Sequence, residues 1–299
     1  MEESPQGQYP IERRAGEIER LHVQSAALAA DAAIMLDQIG VTRGWRCLDL
    51  GCGPGGITDL LGQRVGVTGQ VVGLDADAVF LEHARERVRA RGQDNIQFVA
   101  GDVYGTELPG DSFDLVHSRF VASTAGEPDR LLQEAIRLTR RGGIVAFQEP
   151  DMATLNCYPA LPAWQRLREA LAQMFPYVGG EVRLAQNLFW LLRRAGLEGV
   201  NYRPFLVGFR QGHAMEDHVP ATIDSVRIKL IEKGLISQGE LEVALAECRR
   251  HLADPRTVWT YHTVVQVWGC KTCEVRLDNR FLGSSATTFS PKRRHPQIC

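Results

Sequence analysis

No apolar run in the 299 residues approaches the length of about 20 that a membrane-spanning helix needs, and the polar, acidic start from Met1 to Pro10 lacks the apolar core of an export signal. A membrane span is not expected, and the protein is expected in the cytoplasm. Aromatic residues make up only 7% of the chain, and no charge sign dominates: 34 Lys and Arg against 36 Asp and Glu leave a net charge of −2. That balance supplies no basic surface for a nucleic acid. The seven cysteines form no repeating frame, which with an odd count and no export signal argues for reduced thiols. The spacing of Cys270 and Cys273 is metal-like, but no second pair or histidine cluster accompanies it, so no metal is expected. Internal repeats are absent too.

What is present is a rhythm of strand and helix. The apolar spacing from Gly16 to about Gln38 predicts one N-terminal helix stopped by Gly40. Short runs at Arg46–Leu50, Gln70–Leu74, Ile96–Val99, Phe113–Ser118 and Gly143–Phe147 then alternate with helical segments, the pattern of parallel βαβ units. Beyond Pro150 the reading is helices at Trp164–Phe175 and Val182–Arg194, a strand near Tyr202–Phe209, about 45 largely helical residues, and a last strand from Val258 to Trp268. A strand arriving so late is expected to join the sheet beside the preceding one, with the helical insertion over a sheet edge as a lid. The fold class is therefore α/β: a doubly wound, seven-stranded, mostly parallel sheet with helical lid insertions. Its expected parts are an N-terminal helical cap (1–40), a cofactor-binding core (41–150), the rest of the core with a substrate lid (151–268, the lid at about 151–180 and 212–255), and a poorly ordered tail (269–299).

The segment Leu48-Asp49-Leu50-Gly51-Cys52-Gly53-Pro54-Gly55-Gly56 leaves a strand and enters a helix. Glycines there let the chain turn sharply and let a ligand approach the backbone. Gly51, Gly53 and Gly56 also satisfy the dinucleotide spacing G-x-G-x-x-G, which keeps a nicotinamide-dependent oxidoreductase open as an alternative. Asp75, after the second strand, suits ribose hydroxyls in either case. Two carboxylates favour S-adenosylmethionine: Asp49 would repel a pyrophosphate but suits an ammonium and a sulfonium, and Asp102 beside Val103 can read an adenine edge. A non-catalytic protein that keeps the fold and the cofactor is a third reading.

Asp-x-Gly-x-Gly-x-Gly at 49–55, Asp75, and Gly101-Asp102 in this order resemble class I S-adenosylmethionine-dependent methyltransferases. Glu107-Leu108-Pro109 leading to Ser112-Phe113-Asp114-Leu115-Val116 looks most like the small-molecule type of ubiquinone and menaquinone biosynthesis. The resemblance spans roughly residues 15 to 268. It implies methyl transfer to a small-molecule acceptor by in-line displacement, with an antiparallel seventh strand beside the fifth. It also implies cofactor contacts at Gly51, Gly53, Asp75, Ala76, Asp102, Val103 and Ser118, joined by Asp49. Glu17, Arg20, Leu21, Gln24 and Ser25 look like the helix that covers the cofactor in related bacterial enzymes. The resemblance identifies neither the acceptor atom nor an oligomeric state.

In-line methyl transfer needs positioning more than a dedicated catalytic group, so the general-base candidates are weak: Glu149 and Asp151 past the fifth strand, and His213 and His218 entering the lid. Strand alternation places His117 and Arg119 on one face and Ser118 on the other, and His117 reads as packed against a covering helix. Cys157 reads as bystander packing, and Tyr158, Trp164, Phe175 and Tyr177 as core or as an aromatic wall for the acceptor. The DNA-methyltransferase motif Asn- or Asp-Pro-Pro-aromatic is missing after the fourth strand, where His117-Ser118-Arg119-Phe120 stands instead.

Overall fold

In the first strand, β1 (Arg46–Leu50), every position after Arg46 is buried, because both faces of the sheet are covered by helices. The structure, a computed structural model, describes residues 16–272; the expected tail beyond Thr272, with Cys273, lies outside the described residues. Two helices come first, α1 (Glu17–Ala27) and α2 (Ala29–Ile39), where the sequence predicted one. The break falls at Leu28, and Gly40 ends α2 at φ 80°.

Then follow α3 (Gly56–Val65), β2 (Gln70–Asp75), α4 (Ala78–Ala90), β3 (Ile96–Ala100), β4 (Phe113–Arg119), α5 (Ala122–Ala125), α6 (Pro128–Leu138) and β5 (Thr139–Asp151). The second half holds β6 (Asn156–Tyr158), α7 (Pro162–Met174), α8 (Leu184–Arg194), β7 (Glu198–Phe205), β8 (Gly208–Arg210), α9 (His218–Ser225), α10 (Arg227–Glu232), α11 (Gln238–Leu252), β9 (Val258–Thr260) and β10 (Thr263–Cys270).

The main sheet has seven strands in the order β3-β2-β1-β4-β5-β10-β7. β3 through β5 are parallel, and β10 is inserted antiparallel between β5 and β7, so the last strand lies beside the fifth as expected. On one face Cys47, Val71 and Leu115 pack under Ala32, Met35 and Leu36 of α2 and Ile57, Leu61 and Val65 of α3. On the other, Leu48, Leu50, Val116 and Val145 meet α6 and α8 through Leu131, Leu132, Ala135, Leu184 and Leu188. Each such aliphatic side chain contributes about 1.5–3 kcal/mol by burial.

Two predicted strands are each divided between sheets. Tyr202–Phe209 becomes β7 in the main sheet and β8 in a second sheet, and Val258–Trp268 becomes β9 and β10. The second sheet, β6-β9-β8, carries Trp259, which is buried against Trp164 and Phe209. Around it α7, α9, α10 and α11 close a separate apolar core. No helix among the described residues is long and apolar enough to cross a membrane.

Candidate active site

β1, β2 and β4 run parallel and end on the same side, and the loops that leave them build the wall of one cavity of 440 Å³. In open α/β sheets ligands bind at this carboxyl end. Asp49, Gly51, Gly53, Asp75, Ala76, Asp102 and Val103 all line it. The cavity continues past Arg119 and Phe120 to Met152, Leu155, Leu171, Met174, Phe175, Val219 and Val226.

The glycine loop holds its shape through its own backbone and Asp75. Gly51 and Cys52 both donate to Leu74 O, at 2.8 and 3.0 Å, and Gly53 N donates to Asp75 Oδ2 at 2.8 Å. Gly51 has φ 69°, and a Cβ there would lie 2.3 Å from a methyl of Val121. Asp75 Oδ1 accepts from Asp77 N at 2.8 Å, and burial raises the pKa of its carboxyl group. Asp102 Oδ1 accepts from Tyr104 N at 2.9 Å.

Asp49 is buried with both oxygens engaged: Thr58 Oγ1 donates to Oδ2 at 2.7 Å, and His117 Nδ1 lies 2.8 Å from Oδ1. His117 is thus a polar partner of the glycine-loop carboxylate as well as a fully buried side chain. The hydrogen-bond row continues from His117 Nε2 to Gln148 at 2.9 Å, from Gln148 to Gln266 at 2.8 Å, and from Gln266 to Arg203 at 2.7 Å. Arg203 is paired with Asp31 at 2.6 Å. Only donors are available on a guanidinium, so Gln266 presents Oε1 to Arg203 and its amide nitrogen to Gln148. Gln148 therefore donates to His117 Nε2, which leaves the imidazole proton on Nδ1, facing Asp49. The arginine at one end of the row sets the tautomer at the other.

The helix α1 closes the cavity from above. Arg20, Leu21, His22, Gln24 and Ser25 line it, and a Cβ on Gly56 would lie 1.9 Å from Ser25 Oγ, so α1 rests on the start of α3. Arg20 pairs with Glu17 at 2.6 Å and reaches His218 Nε2 at 3.3 Å and Thr222 Oγ1 at 3.2 Å. Gln24 donates to Tyr261 Oη at 2.6 Å.

The remaining residues singled out in the sequence divide by place. His218 is buried on the cavity wall. Burial first, and then the Arg20 charge, hold its pKa well below the usual imidazole range. Glu149, Asp151, His213 and Ser118 stand off the wall. Both Glu149 oxygens accept backbone N–H groups at the start of α5, from Ala122 (3.0 Å) and Ser123 (3.1 Å). Asp151 accepts from Ala153 N and Gln186 Nε2, and His213 is exposed with Nδ1 accepting from Met215 N. Ser118 points to the α5 and α6 side, where its hydroxyl donates to Leu50 O at 3.1 Å. Strand alternation brings its neighbour Arg119 to the cavity instead. Phe175 lines the cavity and Trp164 is core, whereas Tyr158 and Tyr177 are exposed.

Tyr261 and His262, in the two-residue link between β9 and β10, were not singled out by the sequence reading, because that link lies inside what reads as one continuous strand. Burial lowers the His262 pKa to about 4.

These residues fit S-adenosylmethionine. Gly51 and Gly53 present bare backbone to the cavity, Asp75 and Asp102 with Val103 line it where they would hold a ribose and an adenine, and Asp49 would supply negative charge toward the sulfonium end. The antiparallel β10 also departs from the all-parallel second half of a dinucleotide-binding sheet.

Comparison with known proteins agrees. A family model described as a methyltransferase domain matches residues 42–196, just over half of the chain. The ubiquinone/menaquinone biosynthesis C-methyltransferase of Idiomarina loihiensis is 28% identical over 181 residues, 56% of this chain and 72% of that protein. The demethylmenaquinone methyltransferase of Geobacillus stearothermophilus is 26% identical over 191 residues, 60% of this chain and 82% of that protein. Among solved structures, one from Bacillus halodurans described as a putative methyltransferase superposes with a TM-score of 0.55 at 17% identity, over 81% of this chain and 99% of that one. With its fold, its glycine loop and the family match in agreement, the chain belongs to the methyltransferase-domain family, as an enzyme that takes its methyl group from S-adenosylmethionine.

Proposed function

We propose that the acceptor is a small, largely apolar molecule bound in the lid half of the cavity. The observation that carries this is continuity: one cavity runs from Asp75 and Asp102 to Met152, Leu155, Leu171, Met174, Phe175, Val219 and Val226. Its 440 Å³ is in the range of small-ligand sites, which run to about 300–1,000 Å³. The segments 151–180 and 212–255 act as the lid that selects the acceptor, α1 covers the cofactor, and 41–150 with the later strands form the core.

The cofactor supplies an electrophilic methyl group on a sulfonium. The chain's own residues hold and shield: Asp75, Ala76, Asp102 and Val103 hold the adenosine end, Gly51 and Gly53 pass the amino-acid end, and the apolar lid side chains exclude water from the transfer. Arg20 donates to His218 Nε2, so the imidazole hydrogen sits on Nδ1, which is buried without a partner. His218 therefore acts as a hydrogen-bond donor to the acceptor and not as its base. Cys47, Cys52, Cys157 and Cys248 are buried free thiols, which supports a reducing compartment, the cytoplasm.

The test is incubation of the enzyme and methyl-labelled S-adenosylmethionine with extract from a strain lacking the gene. The reading predicts label in an apolar small molecule extractable into organic solvent. Label confined to protein or nucleic acid would refute it.

A further inference from the structure

Arg119 lines the cavity with a charge to which the proposed transfer gives no role. It ends β4 on the same face as Asp49 and His117. Its NH2 donates to Ser25 Oγ at 2.9 Å, and its NH1 is buried with no partner among the described residues. The neighbouring cation, Arg20, already has Glu17 at 2.6 Å. A sequestered guanidinium nitrogen without an acceptor is costly, and an arginine stays charged at any working pH.

Its surroundings indicate what completes it. NH2 would lie 3.2 Å from a Cβ on Gly56, so the guanidinium sits over the first turn of α3. That helix of 10 residues starts after Gly55 without a side-chain cap, and its N-terminus favours an anion. On the same wall stands Asp49, whose carboxylate takes one hydrogen from Thr58 and one from His117 and retains acceptor capacity. A cation and an anion therefore flank the place where the glycine loop passes a ligand, and an amino-acid zwitterion carries both complementary charges.

We infer that Arg119, with the start of α3, binds the α-carboxylate of the cofactor's methionyl group, opposite Asp49 at its α-ammonium. The inference rests on S-adenosylmethionine as cofactor and adds a residue that none of the sequence motifs designates. A carboxylate on the acceptor has the same chemistry, and the choice of ligands separates the two sources.

Calorimetric titrations compare S-adenosylhomocysteine, which has the zwitterionic end, with 5′-methylthioadenosine, which lacks it, on the full chain. For Arg119→Gln the expected result is a loss of about 10- to 100-fold in affinity for S-adenosylhomocysteine, the effect of a hydrogen bond to a charged group. Affinity for 5′-methylthioadenosine should stay within about twofold, which also shows that the variant is folded, and Arg119→Lys should recover part of the loss. An equal loss for both ligands, or unchanged binding of S-adenosylhomocysteine with turnover abolished, overturns the inference; the latter places an acceptor anion on Arg119. If the wild-type chain binds neither ligand, the cofactor assignment itself fails.

Discussion

Asp49 Oδ1 and His117 Nδ1 lie 2.8 Å apart across paired positions of β1 and β4, both side chains buried at the edge of the cofactor cavity. The row of side chains ending at Arg203 fixes which nitrogen carries the proton, so the imidazole always presents a donor to this carboxylate.

His117→Leu removes that donor and leaves a buried carboxylate oxygen without it. The expected loss is about 1.5–3 kcal/mol of unfolding free energy in urea, whereas His117→Asn, whose amide nitrogen can replace Nδ1, should lose less. Nitrogen-15 spectra should show the unprotonated signature at Nε2 of His117. Protonation at Nε2 with Nδ1 bare would contradict the donor row.

Glu149 gives a pH dependence of defined sign. Burial, working against its hydrogen bonds, raises its carboxyl pKa from 4.5 to about 7. Between those values the folded chain keeps a proton that the unfolded chain has lost, so this group's contribution to stability is full below about pH 4.5 and is lost as pH rises to about 7. Unfolding measured from pH 5 to pH 8 should show this decline, and Glu149→Gln should remove on the order of 3 kcal/mol of it. Parallel profiles for the two proteins would assign the decline to another group.

Gly56→Ala should lift α1 from the glycine loop, since the new Cβ would lie 1.9 Å from Ser25 Oγ and 2.7 Å from Ser25 Cβ. Weaker cofactor binding is expected, and Ser25→Gly in the same chain should restore much of it. Failure of the double variant to recover would show that α1 and α3 are not coupled through this contact.

Much of the nucleotide-binding half was legible in the sequence because its signals are local. Leu48-Asp49-Leu50 before a glycine cluster can only end a strand and turn, and Asp75 and Asp102 follow strands of clear pattern. The second half was less legible because its signals are distant in sequence. β6, β8 and β9 have three residues each and exist only as partners, so their runs merged with β7 and β10. The same merging hid Tyr261 and His262. At Ser118 and Arg119 the alternation was read correctly, yet the sequence reading turned Ser118 toward the cofactor, whereas Arg119 is the one of the two that lines the cavity. Leu28 carries no breaker, and α1 and α2 read as one helix. That Asp49 takes His117 as a partner appears only once β1 and β4 are paired.

The central claim is that this cavity binds S-adenosylmethionine through the carboxylates that follow its parallel strands. Titration of wild-type protein and the Asp75→Asn and Asp75→Ala variants with S-adenosylmethionine tests it most directly. The account predicts one site of micromolar affinity in the wild type, weakened in Asp75→Asn and more so in Asp75→Ala, with each variant still unfolding cooperatively. Absence of binding by the wild type at millimolar cofactor, or equal affinity in all three proteins, would contradict it.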